Sequence, residues 1–127
     1  MSGLKRNNKA NYKEWISTLE GRFLKWKANA ERNSLKCKWE LELGYIQALY
    51  EKQNGRCFYS GANMTFIPRS DFVISLDRID SSIGYIKGNV VLCCADINYM
   101  KGPLDREKFI LLCNYISKKH KREVNIK

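Results

Sequence analysis

Histidine is nearly absent from this chain of 127 residues. His120 is the only one, and it lies in a basic stretch near the C-terminus. The central part of the chain therefore has no imidazole to serve as base or ligand. No apolar run reaches the roughly 20 residues that a transmembrane helix needs. The first residues, Met-Ser-Gly-Leu-Lys-Arg-Asn-Asn-Lys, lack the apolar middle of a secretory signal. These absences predict a soluble, intracellular protein with no membrane partner. There is no internal repeat and no low-complexity linker. The length allows one modest core and is too short for two. Cys37, Cys57, Cys93, Cys94 and Cys113 are odd in number and follow no regular framework. Disulfides are not expected inside a cell.

Charge of one sign is in excess, and unevenly so. The net charge is +10. Residues 1–36 carry nine Lys and Arg against three acids, residues 37–116 nine against nine, and residues 117–127 five against one. The whole surplus sits at the two ends, around a neutral middle. Basic ends on a neutral module suit a polyanion, with nucleic acid ahead of an acidic membrane surface. The alternative is that short basic tails are simply solvated.

From Asn11 the pattern turns helical. Tyr12, Trp15, Ile16, Leu19, Phe23, Trp26 and Ala30 recur at spacings of three and four and form one apolar stripe. Arg22 and Lys25 fall off that stripe, where they either lie along a nucleic-acid backbone or face solvent. Gly21 weakens this helix and marks a candidate bend. Residues 35–41 read as a short extended segment. A second helix follows over residues 42–53, with Leu43, Ile46, Leu49 and Tyr50 inward, and Asn54-Gly55 stops it. Residues 57–61 form a tight turn, and residues 64–70 a loop in which Pro68 bars a central strand. At the far end Asp105 is an N-cap and Glu107 suits the helix dipole. Phe109, Leu112, Cys113 and Ile116 form the expected inner face of that last helix. Lys118 and Lys119 begin the basic tail.

The stretch from Val73 to Lys101 is the most informative. It reads as a strand over residues 72–76, a connection over residues 77–88, a strand over residues 89–94 and a short helix over residues 95–101, cut by Gly102-Pro103. The connection is too long for a two-residue turn and belongs to the loop type that displays functional side chains. Gly84 and Gly88 are expected to supply positive φ or close backbone approach. Asp77 closes the first strand and Asn98 lies at the start of the helix, so one oxygen from each arm can meet at a single divalent cation. A cation held there can act on a phosphodiester.

The run Asp77-Arg78-Ile79-Asp80, the Gly84-Tyr85 and Gly88-Asn89-Val90 elements, and Asn98 followed by Lys101 occur in the order found in the HNH, or ββα-metal, nucleases. With the upstream Gly55-Arg56-Cys57-Phe58-Tyr59-Ser60-Gly61 turn, the chain resembles that family over about residues 55–113. It is most similar to the small HNH-like proteins of phages and large viruses. The resemblance implies an α+β fold. A ββα-metal hairpin–helix core lies in a module over residues 55–116, with a C-terminal helix, a basic N-terminal helical arm over residues 1–54 and a basic tail over residues 117–127. It implies a Mg²⁺- or Mn²⁺-dependent DNA endonuclease or nickase, possible as a homing-type enzyme of a virus, working in the cytoplasm, nucleoid or nucleus of a host cell. Asp77 and Asn98 would hold the metal, and Asn89 would brace the loop or the base.

The chain departs from that pattern at one position. The family places its general-base histidine just after the strand-ending aspartate, and here that position is Arg78, which stays protonated. Asp80 is the candidate base in its stead. Arg78 either clamps the scissile phosphate through its guanidinium fork or locks the loop by a salt bridge to Asp77 or Asp80. Lys101 is expected to touch backbone phosphate, and Lys87, Arg22, Lys25, Lys118 and Lys119 to add to binding. Some family members carry a structural zinc on two Cys-x-x-Cys pairs. Cys57 and Cys94 match one cysteine of each pair, but Ser60 and Ile97 stand at the partner positions, so no structural zinc is expected. The alternative to an enzyme is a catalytically inactive nucleic-acid-binding module of the same fold, with RNA as a less favoured ligand.

Overall fold

The computed structural model describes residues 17–33 and 38–123. The first 16 residues of the expected N-terminal arm, with the start of the stripe at Tyr12, Trp15 and Ile16, lie outside them, as does Cys37. The described residues form an α+β unit with four helices and one two-stranded antiparallel sheet. In chain order these are α1 (Leu19–Asn33), α2 (Leu43–Lys52), β1 (Ile74–Arg78), β2 (Val90–Cys94), α3 (Ala95–Lys101) and α4 (Arg106–Lys119). Among the described residues no helix is long and apolar enough to cross a membrane.

Helix α1 begins where the hydroxyl of Thr18 accepts the Gly21 N–H at 3.0 Å. Gly21 thus sits in the capped first turn rather than at a bend. The apolar stripe faces inward as expected: Phe23 and Ala30 are buried, and Leu19 and Trp26 pack on the core. Helix α2 contributes fully buried Ile46, with Leu43, Leu49 and Tyr50 packed around it. Burial of one such aliphatic side chain is worth roughly 1.5–3 kcal/mol. These residues join Ile74, Leu76 and Leu92 in a single core that runs across the expected boundary at residue 54.

Strand β2, Val-Val-Leu-Cys-Cys, is buried at every position. A continuous apolar run suits a strand covered on both faces. Its partner β1 pairs Leu76 with Leu92, Asp77 with Val91 and Arg78 with Val90. The sequence placed this strand at residues 72–76. In the fold it starts and ends two residues later, because the ladder to β2 carries Asp77 and Arg78 along while Phe72 stays in a turn and half exposed. Helix α3 follows β2 without a linker and packs on both strands. Gly102, at φ +55, ends it.

Helix α4 starts as expected, with Asp105 Oδ1 accepting the Lys108 N–H at 2.9 Å. Its expected inner face is not buried along its length. Phe109 is buried, but Leu112 is 40% and Ile116 64% exposed. Periodicity identifies an apolar face without specifying what covers it, and Phe109 is the one buried residue of α4.

Candidate functional site

Two short segments carry the site: the end of β1 and the inward face of α3. Asp77 is 7% exposed. Its Oδ2 accepts a hydrogen bond of 2.7 Å from the Tyr59 hydroxyl and lies 3.5 Å from Lys101 Nζ. Lys101 is 1% exposed, and its ammonium also lies 3.5 Å from the Arg78 carbonyl oxygen. The sequence predicts a surface lysine here, on a backbone phosphate. It is instead buried, because the last turn of α3 packs on β1 and aims the side chain at Asp77. Burying two charges costs several kcal/mol each unless the pair is close and further hydrogen-bonded. Tyr59 and the Arg78 carbonyl supply those further contacts.

Tyr59 was not legible as a site residue. It stands 18 positions before Asp77 in the turn that follows α2, and no local pattern links the two. Burial pushes its phenol above the ordinary range, and the hydrogen bond to Asp77 and that carboxylate's charge push it further. Tyr59 is a donor at any physiological pH, not a base.

Asn98 is the fourth residue of α3. It shares a helix face with Lys101, three residues on. Its Nδ2 donates to Ser75 Oγ at 2.9 Å and to the Leu76 carbonyl at 3.2 Å. The carboxamide is thereby oriented against β1, beside Asp77. Asp77 Oδ1 and Asn98 Oδ1 accept none of these bonds. Among the described residues no fully buried side-chain nitrogen or oxygen lacks a partner, so neither oxygen is a stranded buried group.

Arg78 leaves the ribbon on the face opposite to Asp77, by the alternation of a strand. Its guanidinium donates to the Ile83 carbonyl at 3.3 Å and lies 5.0 Å from the centre of the Tyr85 ring. Asn89 is buried and fastens the same loop. Its Oδ1 accepts the Asp80 N–H at 3.0 Å, and its Nδ2 donates to the carbonyls of Asp80 at 3.1 Å and Gly84 at 2.9 Å. Of its two expected tasks, the structure displays the bracing of the loop. Gly84 makes the expected close approach: a Cβ there would lie 2.7 Å from the Lys38 carbonyl oxygen. Gly88 takes the positive φ, at +86°.

Asp80 is exposed. Its Oδ1 accepts from the Ser82 hydroxyl at 2.6 Å and the Ser82 N–H at 2.9 Å. Those two bonds hold its carboxyl below the ordinary range. A carboxylate so stabilised is a weaker base than a free one. It borders an open cleft of about 480 Å³ with Ile79 and Ser81 on one side and Pro103, Asp105, Arg106 and Glu107 on the other.

The remaining basic residues divide. Lys25, Lys87, Lys118 and Lys119 are exposed. Lys87 lies 6.0 Å from the centre of the Tyr45 ring. Arg22 is half-buried and donates to the Phe66 carbonyl at 2.7 Å, a contact that ties α1 to the loop before β1. His120 pairs with Glu123 beyond α4.

Cys57, Cys93 and Cys94 are buried. Cys57 Sγ accepts the N–H groups of Ser60 and Cys94, each at 3.4 Å. Burial pushes the Cys57 thiol up, but the bonds from Ser60, Cys94 and Tyr59 outweigh it and leave it below its ordinary value. Burial raises Cys93, and raises Cys94 to about 11. Among the described residues no three His, Cys, Asp or Glu side chains are grouped so as to hold a metal. Asp77 and Asn98 are a two-donor set of hard oxygens. That meets the minimum for Mg²⁺, which commonly takes one or two protein oxygens and keeps several waters.

In comparisons with known proteins, the chain is 31% identical over 78 residues to an uncharacterized protein of Acanthamoeba polyphaga mimivirus. The match takes in 61% of this chain and 14% of that protein, so the chain spans about a seventh of the relative's length. No family model and no solved structure matches.

Proposed function

We propose that this chain is a divalent-metal-dependent endonuclease or nickase that hydrolyses phosphodiester bonds in DNA, built on a ββα-metal hairpin and helix. The observation that supports the reading is that the Asn98 amide from α3 is fastened to Ser75 and Leu76 of β1, the strand that carries Asp77, with one oxygen of each side chain outside the bonds described above. Mg²⁺ or Mn²⁺ would be held by those two oxygens. When bound it would supply the positive charge that stabilises the phosphoryl oxygens and the leaving 3′ oxygen. The protein's own part is positional. Tyr59 and Lys101 fix Asp77 from one side, Ser75 and the Leu76 carbonyl fix the Asn98 amide, and Asn89 holds the loop that carries Arg78 and Asp80. Sequence-independent affinity would come from the exposed lysines, with a steep salt dependence.

A second reading, a nucleic-acid-binding module without catalysis, is favoured by two observations. Arg78 stands where a base is needed and is engaged with Tyr85 and Ile83, and Asp80 is held as a weak base. Nicking of supercoiled plasmid separates the two readings. The nuclease reading expects nicked circles with Mg²⁺ or Mn²⁺, none with EDTA, and none from Asp77→Asn or from Asn98→Ala, the latter keeping the Asp77–Lys101 pair intact. A protein that shifts DNA on a gel yet cuts with no divalent cation belongs to the second reading, and binding confined to RNA would move the ligand as well.

A further inference from the structure

Most lysines are solvated, and a lysine 1% exposed is an exception that needs a cause. The cause here is Asp77. The Lys101 ammonium lies 3.5 Å from Asp77 Oδ2 and 3.5 Å from the Arg78 carbonyl oxygen, fixed from behind by the packing of α3 on β1. The carboxylate's charge is therefore balanced inside the protein before any ligand arrives. Tyr59 and Asn98 add no charge, and the Arg78 guanidinium lies on the other face of the ribbon, against Tyr85.

Resting on the nuclease reading, we infer that Lys101 is the resident counter-cation of this site, and that the site therefore takes a divalent cation only together with a phosphodiester. A cation brought to the remaining oxygens of Asp77 and Asn98 alone would add two positive charges to an already neutral pair, beside a buried ammonium. Like charges at short range in a poorly solvated site repel strongly. A phosphodiester brings the missing negative charge. Cation and nucleic acid are then mutually dependent ligands, and the coupling is reciprocal: each raises the affinity for the other by the same factor. Lys101 would so guard the site against the free cations of a cell until substrate is present.

The test is binding of Mn²⁺, read from the loss of the free-ion electron paramagnetic resonance signal. It uses the full chain alone and with a short phosphorothioate duplex that resists cleavage, the duplex's own uptake being subtracted. Wild-type protein is expected to bind Mn²⁺ at least about tenfold more tightly with the duplex than without, within the ordinary range of coupling between sites. Lys101→Met, neutral and of similar length, is expected to bind Mn²⁺ without the duplex and to lose most of the coupling. Lys101→Met with Asp77→Asn should bind none. Equal, tight Mn²⁺ binding by wild type with and without the duplex would overturn this inference and leave the nuclease reading standing. No Mn²⁺ uptake by wild type under either condition would remove the metal site itself, and with it both this inference and the nuclease reading. The wild-type comparison decides the matter even if Lys101→Met fails to fold.

Discussion

The side-chain amide of Gln53 bonds both main-chain groups of Leu92: Oε1 accepts the N–H at 3.0 Å and Nε2 donates to the carbonyl at 2.9 Å. The residue just past α2 thus replaces a neighbouring strand along the open edge of β2, where Phe58 N–H also reaches the Leu92 carbonyl at 2.9 Å. An edge strand must be paired or covered, and here Gln53 does so together with Phe58 and Cys57. Gln53→Leu should leave the Leu92 N–H unsatisfied and cost about 1–3 kcal/mol. Urea unfolding checks this. An unchanged midpoint would mean that water takes the place of the amide at no cost.

Asn89 bonds to the loop at both ends of its amide, so Asn89→Leu removes bonds to Asp80, Ile83 and Gly84 together. The expected result is a loss of about 2–3 kcal/mol, in the range for stranding buried main-chain groups. Amide exchange over residues 79–88 should speed up more than exchange in α1. Gly84→Ala should act on the same loop by collision with the Lys38 backbone.

Alkaline pH should weaken the fold. Cys93 and Cys94 hold their protons above the ordinary 9.0 and Tyr59 above the ordinary 10.0, all chiefly through burial. A proton held more tightly in the folded chain stabilises it below the unfolded value and ceases to do so as pH rises toward the folded one. Stability should therefore decline from about pH 9 upward. Cys57, shifted the other way, offsets part of that decline. Tyr59→Phe should cost about 1.5–3 kcal/mol at neutral pH, through the lost bond to a carboxylate. It should also flatten the decline above pH 10, the ordinary phenol value. Urea midpoints at neutral and alkaline pH measure both effects.

Arg78→His places a titratable ring where the HNH pattern carries its base. If the cation site is intact and only the base is deficient, this variant should nick plasmid faster than wild type, with a rate that rises through the histidine range near pH 6.5. A general base contributes about 10²–10⁴-fold, which bounds the gain. Unchanged nicking would mean that the base is supplied from elsewhere.

Local chemistry was legible where a single segment decides it. The limits of α3, the Asp105 cap, the inward stripe of α1 and the tasks of Gly84 and Gly88 follow from residues a few positions apart. Asp77 and Asn98 could be set on facing arms because a hairpin and the helix after it have little freedom. What distant packing decides was not legible. Nothing near Lys101 says that it is buried, since its environment comes from β1 and from Tyr59. Nothing near Gln53 says that it pairs with a strand 39 residues on. The exposed side of α4 shows the converse: an apolar period without a partner among the described residues.

On the nuclease reading, Asp77 and Asn98 would together hold one cation when a phosphodiester is in place. A crystal of the protein with a short duplex and Mn²⁺, measured at the manganese edge, tests it most directly. One anomalous peak is expected in contact with an oxygen of each side chain and with a phosphate oxygen, while Lys101 keeps its place beside Asp77. Bound DNA with no peak between those two side chains would contradict it.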